Sequence, residues 1–322
     1  MNKKLPSPLA IRVVIVTFFE AKPQEGFPIS ELHRWRKGFE LNTPYSAPHL
    51  AKDYYVNEEQ GLLVLLTGMG TAKAASAIMA LGLDSRFDFT QAYWVGAGIA
   101  GIDPKIGSLG SVAIAKHIVA GDLAYAIDSR EIPNDWSTGY FPIFSQGPFD
   151  TSHTENHGEV FTLNKALADW AFSLTDGISL KSDAPCQKLG EAYQDYTNAT
   201  LPPRVIQGDC LSSMTFFHGQ TFTEWARQWV DYWTQKQGQF ATSAMEDIGL
   251  IQSLEQLTQL GKADRSRFLL LRSASNYTLP PKGISPSDYL TKDEHNHFEG
   301  CEIALDNVYR VGKHIVDALL DQ

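Results

Sequence analysis

Residues 62–82 read LLVLLTGMGTAKAASAIMALG, and this stretch decides the fold class. The apolar run Leu62–Leu66 is typical of a strand that is buried on both faces of a sheet. A glycine turn follows it and ends at Gly70, after which the alanine-rich residues 71–83 have helical spacing. A strand, a glycine turn and a helix in this order indicate an α/β protein with a mostly parallel sheet.

The same alternation continues on both sides of this stretch. Residues 11–17 are β-branched and apolar, which predicts another central strand. Further strands are predicted at residues 92–95, 110–117, 204–207 and 267–274, and further helices at 163–174, 221–237, 247–261 and 300–320. The glycine-rich residues 96–101 are predicted to form a turn. Residues 127–152 are interpreted as a loop that could cover a site, and residues 179–203 as irregular.

The domain organisation follows from what the chain lacks. No Gly/Ser or Pro-rich linker divides it, and no internal repeat is evident. We therefore predict one three-layer αβα domain over residues 1–322, with a mixed but mostly parallel central sheet. Residues 1–10 are predicted to be a disordered N-terminal extension.

Composition excludes several classes of partner. The 322 residues carry a formal net charge of −10, and an acidic surface repels nucleic acids and anionic membranes. No segment offers the roughly 20 apolar residues that a membrane-spanning helix needs, so we expect a soluble protein. The three cysteines are not a disulfide framework, although one pair could still form. The compartment stays open between the cytoplasm and, after removal of a signal peptide, the periplasm or exterior.

Five short motifs occur in an order that carries a family resemblance. They are TGMG at residues 67–70, VGAGIAG at 95–101, Gly208-Asp209 with the pair Phe216-Phe217, AME at 244–246, and RSASNY at 272–277. Together they resemble the nucleoside phosphorylase/nucleoside hydrolase superfamily. Within it the chain most resembles the purine nucleoside permease family, through VTFFE at residues 16–20 and SAMED at 243–247. The resemblance covers nearly the whole chain.

The resemblance implies a pocket for a purine nucleoside at the carboxyl ends of the strands. Glu246 would bind the vicinal ribose hydroxyls, because a carboxylate accepts two hydrogen bonds side by side. Met245 would lie under the sugar, and Phe216 or Phe217 would stack on the base. Each has a plain structural alternative: a helix N-terminal charge for Glu246, and still more so for Asp247, and core packing for the others.

The glycine motifs and the fourth strand region complete the implied binding set. Backbone groups at Gly70 and at Gly96, Ala97 and Gly98 would approach the ligand closely, since glycine leaves room for it. Asp209 belongs to the segment that resembles the superfamily's base-stacking region. For the TGMG motif alone, the alternative is a tight turn that needs positive φ.

Catalysis would fall to Asn276 and to an acidic residue after the first strand. Asn276 occupies the position of an acid that protonates the leaving purine in many relatives. An amide can donate or accept a hydrogen bond but cannot give up a proton at neutral pH. Because some relatives that act on 6-oxopurines have Asn in this role, the resemblance implies inosine- or guanosine-type ligands. Its alternative is a turn residue after a strand. The general base would be Glu20 or Glu25, because VTFFEAKPQE does not align cleanly; the alternative for each is a solvated loop charge.

Phosphate is the point at which the sequence departs from the phosphorylases. The strand before the second glycine motif reads YWVGA and lacks the arginine expected there. Loss of a cationic clamp removes most of the attraction for a dianion, so hydrolysis is favoured over phosphorolysis. We expect no organic cofactor, and phosphate stays open as a co-substrate. Residues 293–297, DEHNH, are interpreted as a polar loop and not as a metal site.

The resulting hypothesis is a purine nucleoside-binding protein that cleaves the N-glycosidic bond. The alternative is a non-catalytic nucleoside-binding protein that assists uptake or storage. The expected partners are a small purine nucleoside and further copies of the chain, because a partner subunit often closes the pocket in relatives.

Overall fold

The apolar runs of the sequence become the strands of one large sheet in the computed structural model, which describes residues 7–21, 30–50, 52–153, 155–291 and 300–322. The strands there are β1 Leu9–Ala10, β2 Val13–Thr17, β3 Thr43–Tyr45, β4 Tyr54–Asn57, β5 Leu62–Leu66, β6 Phe87–Asp88, β7 Tyr93–Ile102, β8 Val112–Ile114, β9 His117–Ala120, β10 Tyr125–Ala126, β11 Tyr140–Phe141, β12 Val160–Thr162, β13 Val205–Gln207, β14 Asp209–Ser212, β15 Phe240–Ala244 and β16 Phe268–Tyr277. The helices are α1 Glu31–Gly38, α2 Thr71–Gly82, α3 Lys165–Thr175, α4 Ala184–Glu191, α5 Gln220–Trp233, α6 Asp247–Gln259, α7 Pro286–Thr291 and α8 Cys301–Leu320.

Twelve of the strands form the central sheet. Its main path runs β12-β9-β14-β15-β7-β2-β5-β4-β3, while β16 pairs with both β7 and β8, and β13 pairs with β8. The centre is parallel, with β2 between β5 and β7 and with β16 parallel to β7. β15 runs antiparallel to β7, and β3 and β4 close the edge as an antiparallel pair. The predicted mixed, mostly parallel sheet is confirmed.

Helices cover both faces of this sheet, which is why its central strands are apolar throughout. Val14 and Val16 of β2 face one core cluster, in which residues of α2 and α6 pack. Val13 and Ile15 face the opposite cluster, in which α1, α3 and α8 pack. Successive side chains of a strand point to opposite faces, so one short run fills two cores. The result is the predicted single domain with three layers.

The second glycine motif is not a turn, contrary to the sequence prediction. Residues 96–101 lie inside β7, which continues to Ile102. β16 pairs with β7 along nearly its whole length, from Phe268 opposite Trp94 to Tyr277 opposite Ile102, so the glycines keep a ladder partner. Gly98 supplies space instead: a Cβ there would lie within 2.8 Å of Arg272, Phe18 and Glu31.

Three other predictions differ from the structure in detail. Leu9 and Ala10 are not part of a disordered extension, because they form β1 and pair with β6. Residues 110–117 form two strands, because the backbone N–H groups of Lys116 and His117 turn away to the carboxylate of Asp209. Residues 179–203 contain helix α4, whose first turn is capped by the side chain of Asp183.

The stretch predicted as a loop, residues 127–152, packs on α5 and stays outside the central sheet. It contributes β11, whose Tyr140 contacts Trp225, and Phe149, which contacts Trp229. The three cysteines all lie among the described residues, where they are buried and form no disulfide. Among the helices that the structure describes, none is both long enough and apolar enough to cross a membrane.

Candidate functional site

A cavity of about 340 Å³ lies where β2 and β5 end and beside the second halves of β7 and β16. Its walls come from Phe18 and Phe19 after β2, Glu31 of α1, Met69 after β5, residues 99–101 of β7, Phe216, residues 243–246 of and after β15, and Arg272, Ser275 and Asn276 of β16. Buried polar side chains from α1, from the end of β15 and from β16 therefore converge on one hollow. The larger hollow between α1 and α8 is lined by charged surface side chains and lacks such convergence.

Glu246 is a fixed carboxylate in the cavity wall. It follows β15, occupies the N-cap position of α6 and is buried, with only 4% of the residue exposed. Its Oε1 accepts from the backbone N–H of Gly70 at 3.0 Å. Its Oε2 accepts from Nη2 of Arg272 at 2.9 Å and from the N–H of Met245 at 3.3 Å. A buried charge persists only when it is paired in this way.

Arg272 provides the compensating charge, held in place by Asp247. Asp247 is fully buried and accepts from Nε of Arg272 at 3.2 Å and from Nη2 at 2.5 Å. Nη1 donates to the carbonyl of Ile99 at 2.9 Å, and the guanidinium lies 4.1 Å from the ring centre of Phe18. Burial lowers the pKa of Arg272, but the charges of Asp247 and Glu246 outweigh it and raise that pKa above its usual value. Asp247 is thus an ion-pair partner rather than a helix N-terminal surface charge.

Glu31 is a second buried carboxylate in the wall, and the sequence analysis did not identify it. It begins α1 and is 2% exposed. Its Oε2 accepts from the N–H groups of Phe18 at 2.5 Å and Phe19 at 3.0 Å, and its Oε1 from that of Ile99 at 2.8 Å. Burial raises the pKa of Glu31 to about 7, against the lowering effects of Arg272 and of the three backbone donors. A carboxyl with this pKa can exchange a proton near neutral pH.

The two glutamates predicted as candidate bases lie elsewhere. Glu20 does not line the cavity, and its carboxylate pairs with Lys52 at 3.1 Å. Glu25 lies outside the described residues, as do residues 293–297. The backbone bridge between Glu20 and Ser30 shows how the chain returns to the end of β2 and delivers Glu31 there. An acidic residue directly after Ser30, at the start of a helix, was the only available sequence signal.

Asn276 lies at the end of β16 and lines the cavity beside Ser275. Its Oδ1 accepts from the Ser275 hydroxyl at 3.0 Å, and its Nδ2 donates to the carbonyl of Tyr277 at 3.1 Å. An amide has two donor hydrogens and two acceptor lone pairs. One donor and one acceptor therefore remain for a ligand.

The aromatic pair divides between the cavity and the core. Phe216 lines the cavity and is 47% exposed. Met245 also lines it and is partly exposed. Phe217 is buried against Tyr140 and Trp225 and does not reach the cavity. Of the two phenylalanines, only Phe216 is placed to touch a ligand.

The remaining predicted binding residues support the site from behind. Gly70 has φ of 102° and donates to Glu246, so it acts on the carboxylate. Gly96, Ala97 and Gly98 are buried in β7 and do not line the cavity. Asp209 accepts from the N–H groups of Lys116, His117 and Gln239 and pairs with the His117 ring, so it ties strands together outside the cavity.

The fold is similar to that of solved structures of two hydrolytic enzymes. One is the 5′-methylthioadenosine/S-adenosylhomocysteine nucleosidase from Neisseria meningitidis in complex with methylthio-immucillin-A, with a TM-score of 0.52 and 16% identity over 95% of this chain and 99% of that one. Another is the futalosine hydrolase of Helicobacter pylori, with a TM-score of 0.56 and 13% identity over 96% of this chain and 98% of that one. These likenesses establish the α/β fold.

The family follows from the sequence. The chain belongs to the purine nucleoside permease (NUP) family, whose profile matches residues 10–322. A purine nucleoside permease of Candida albicans is 26% identical over 288 residues, which cover 88% of this chain and 70% of that protein. The resemblance drawn from the motifs is thereby confirmed.

Proposed function

We propose that this protein binds a purine nucleoside in the cavity and hydrolyses its N-glycosidic bond. One observation carries the proposal: two buried carboxylates, Glu31 and Glu246, and the amide of Asn276 line a single cavity of about 340 Å³. Specific small-molecule sites are concave and combine apolar walls with a few convergent polar groups. The match to the family and the nucleosidase fold support the same ligand class.

The sugar would bind at Glu246. Its two oxygens are oriented by the donors of Gly70, Met245 and Arg272. These use three of a carboxylate's roughly four acceptor sites, and the site left on Oε1 would accept from a ribose hydroxyl. Met245 lies next to it in the same wall and would contact the sugar ring. Because Glu246 is held before binding, little ordering cost is added when the diol arrives.

The base would lie between Phe216 and Asn276. The exposed ring of Phe216 offers a stacking surface, worth about 1–3 kcal/mol per base by analogy with nucleic-acid sites. The free acceptor of Asn276 would accept from N7 of the purine when N7 carries the proton of the leaving base, and its free donor would bind the 6-oxo group. This arrangement favours 6-oxopurines, because adenine has an amine in place of that oxygen.

Glu31 would activate water. In its ionised form it takes a proton from water as the water oxygen bonds to C1′ of the ribose. The C1′–N9 bond breaks, and the base leaves with the bonding electrons and takes a proton from solvent water. Glu31 afterwards returns the proton that it took to solvent. The carboxylates Glu31 and Glu246 stabilise the positive charge that develops on the ribose in between.

The decisive experiment is direct. Inosine, guanosine and adenosine are each incubated with the protein, with and without inorganic phosphate, and free base and ribose are measured by chromatography. We expect free base and free ribose without phosphate, and we expect Glu31→Gln to slow their formation about 10²–10⁴-fold. No release of base under either condition would exclude cleavage.

Binding without cleavage is the second candidate, favoured by one observation. Asn276 stands at the base position and has no acidic proton to give the leaving group. A protein of this kind would serve uptake or storage. It would bind nucleosides with micromolar or tighter affinity and return them intact after prolonged incubation.

We also propose that copies of the chain associate at the cavity mouth. Met69, Met214 and Phe216 are each about half exposed. Met69 and Phe216 line the cavity, and the sulfur of Met214 lies near Gly70 and accepts from the N–H of Thr71. Exposed apolar groups rimmed by polar surface are typical of association sites. Sedimentation of the wild type and of Met69→Glu would test this, with a shift to monomer expected for the variant.

A further inference from the structure

Arg272 is the only cationic side chain among the described residues that line the cavity. It reaches the cavity from β16, in register with Gly98 of β7, which explains why inspection of the β7 sequence found no arginine there. A guanidinium in a closed site binds phosphate and carboxylate groups strongly. The presence of Arg272 therefore raises the question of whether phosphate or water is the acceptor in this cavity.

The donors of Arg272 are almost all engaged by the protein. A guanidinium side chain has five N–H donors. Asp247 takes the Nε donor and one Nη2 donor, Glu246 takes the other Nη2 donor, and the Ile99 carbonyl takes one from Nη1. A single donor remains, so the paired N–H groups that would bind a phosphate already donate to protein atoms.

The charge of Arg272 is also more than balanced. Glu246 and Asp247 both form ion pairs with it, and the carboxyl of Glu31 is close enough for its ionisation to be influenced by the guanidinium. When Glu246 and Asp247 are ionised, these two carboxylates carry two negative charges against the single positive charge of Arg272. Such a site repels a phosphate dianion and leaves a neutral acceptor unaffected.

We propose that Asp247 determines the acceptor: by clamping Arg272 it makes the cavity reject inorganic phosphate and so reserves the reaction for water. This inference rests on the proposed function, because it assigns the acceptor for that same cavity. Asp247 does not line the cavity itself and acts through Arg272, so it is a positioning residue. Glu246 contributes to the same balance from the cavity side.

The local surroundings allow this clamp to be weakened without removing it. The Sγ of buried Cys210 donates to Oδ2 of Asp247 at 3.0 Å. In Asp247→Asn, the amide oxygen can still accept from Arg272, and the amide N–H can point to the sulfur, a weak acceptor. The substitution removes one negative charge and half of the bidentate grip at nearly constant volume.

The chain offers a matched control in a second buried aspartate–arginine pair. Asp103 is fully buried and accepts from Nε and Nη2 of Arg227 at 2.7 Å each, outside the cavity. Asp103→Asn therefore repeats the loss of a buried charge partner at a site that cannot bind the acceptor.

The experiment measures binding of inorganic phosphate by calorimetry, without nucleoside, at constant ionic strength. We expect Asp247→Asn to lower the Kd for phosphate at least about tenfold relative to wild type, the scale of one unit charge at partly screened distance. Asp103→Asn should bind phosphate as weakly as wild type. With inosine present, phosphate should then yield ribose 1-phosphate in Asp247→Asn and not in wild type.

Two outcomes would overturn the inference: folded Asp247→Asn with no gain in phosphate affinity, or wild type binding phosphate as tightly as the variant. If Asp247→Asn does not fold, Glu246→Gln removes the other carboxylate from Arg272 and should likewise tighten phosphate binding. Because the primary measurement needs no turnover, failure of nucleoside cleavage leaves it readable. Conversely, phosphate-free cleavage can hold even if Asp247 has no influence on phosphate.

Discussion

Two glutamates near the end of β2 show how burial decides the chemistry of a residue. Glu20 stays near the surface and pairs with Lys52, whereas Glu31 is enclosed by Phe18, Phe19 and Ile99, which donate to it from the backbone. Sequence inspection gave Glu20 or Glu25 as the base, because the segment after the strand does not align cleanly. The structure favours Glu31, because a carboxylate needs both enclosure and cavity access to act as a base near neutral pH.

Replacement of Glu31 tests this at the residue scale. Glu31→Gln keeps the shape and removes the base, so we expect the rate of base release to fall about 10²–10⁴-fold, the usual contribution of a general base. Glu20→Gln is the matched control and should retain near wild-type rates. Initial rates with inosine at pH 8 provide the comparison. Equal losses in both variants would contradict the assignment.

The pKa of Glu31 also predicts a pH dependence of stability. Its pKa rises from 4.5 in the unfolded chain to about 7 in the fold, so the folded state binds this proton more tightly. The free energy of unfolding should therefore fall as the pH rises from about 4.5 to 7. Above pH 7 the contribution of Glu31 should no longer change with pH. Over this window the loss is on the order of 3 kcal/mol.

Urea denaturation at pH 5 and pH 8 measures this effect, with Glu31→Gln as the reference. The wild type should be more stable relative to Glu31→Gln at pH 5 than it is at pH 8. Cleavage should show the opposite trend in the wild type, with a rate that rises as the pH passes 7. A pH-independent difference between the two proteins would exclude the raised pKa.

At the scale of elements, the register of β7 and β16 assembles the site. Arg272 lies opposite Gly98, and the missing side chain of Gly98 lets the guanidinium, Phe18 and Glu31 meet over the strand. The glycine motif was recognised from the sequence, but its interpretation as a turn was wrong. Periodicity reveals that a strand exists, whereas partner strands and register depend on contacts between residues far apart in sequence.

Gly98→Ala should disrupt this arrangement. The added Cβ would lie 2.7 Å from Arg272 Nη1 and 2.8 Å from Glu31 Oε1, so one of them must move. We expect base release to fall about a hundredfold, the cost of a misplacement near 1 Å, and stability to fall by about 1–3 kcal/mol.

Gly96→Ala is the control in the same strand. Its Cβ would meet the ends of Leu270 and Leu250 at 3.1 and 3.2 Å, which flexible side chains can relieve. It should cost less stability and leave kinetics nearly unchanged. Steady-state kinetics and denaturation of both variants give the comparison, and a larger kinetic defect in Gly96→Ala would contradict the proposed geometry.

Asp209 belongs to the same scale, because it joins elements rather than contacting a ligand. Its carboxylate accepts from three backbone N–H groups and from Nδ1 of His117, and thereby links the starts of β9, β14 and β15. Asp209→Ala would leave these buried donors unpaired, so we expect a loss of about 3–5 kcal/mol in unfolding free energy. Nucleoside affinity by calorimetry should be unchanged; a selective loss of affinity would return Asp209 to the binding site.

For the molecule as a whole, the sequence was informative where signals were local and silent where they were not. The buried runs of β2 and β5 and the helix after Gly70 were predicted within a few residues. Glu246 was predicted as a substrate-binding residue and Asn276 as a catalytic residue, and both line one cavity. Glu31 and the Arg272–Asp247 pair were missed, because their roles arise from burial and from contacts that no single segment encodes.

The cavity draws its walls from residues 18 to 276, which predicts how the whole molecule unfolds. A single domain with a site across its sheet should show one cooperative transition, and a nucleoside should shift all of it. At a concentration of 100 times its Kd, a ligand adds about 2.7 kcal/mol to the unfolding free energy.

Calorimetric scans of Glu31→Gln with inosine avoid turnover during the measurement. We expect one transition that moves to higher Tm, and no shift once Glu246→Gln is added. Two transitions, of which inosine moves only one, would mean that the halves of the sheet unfold separately and that the site belongs to one of them.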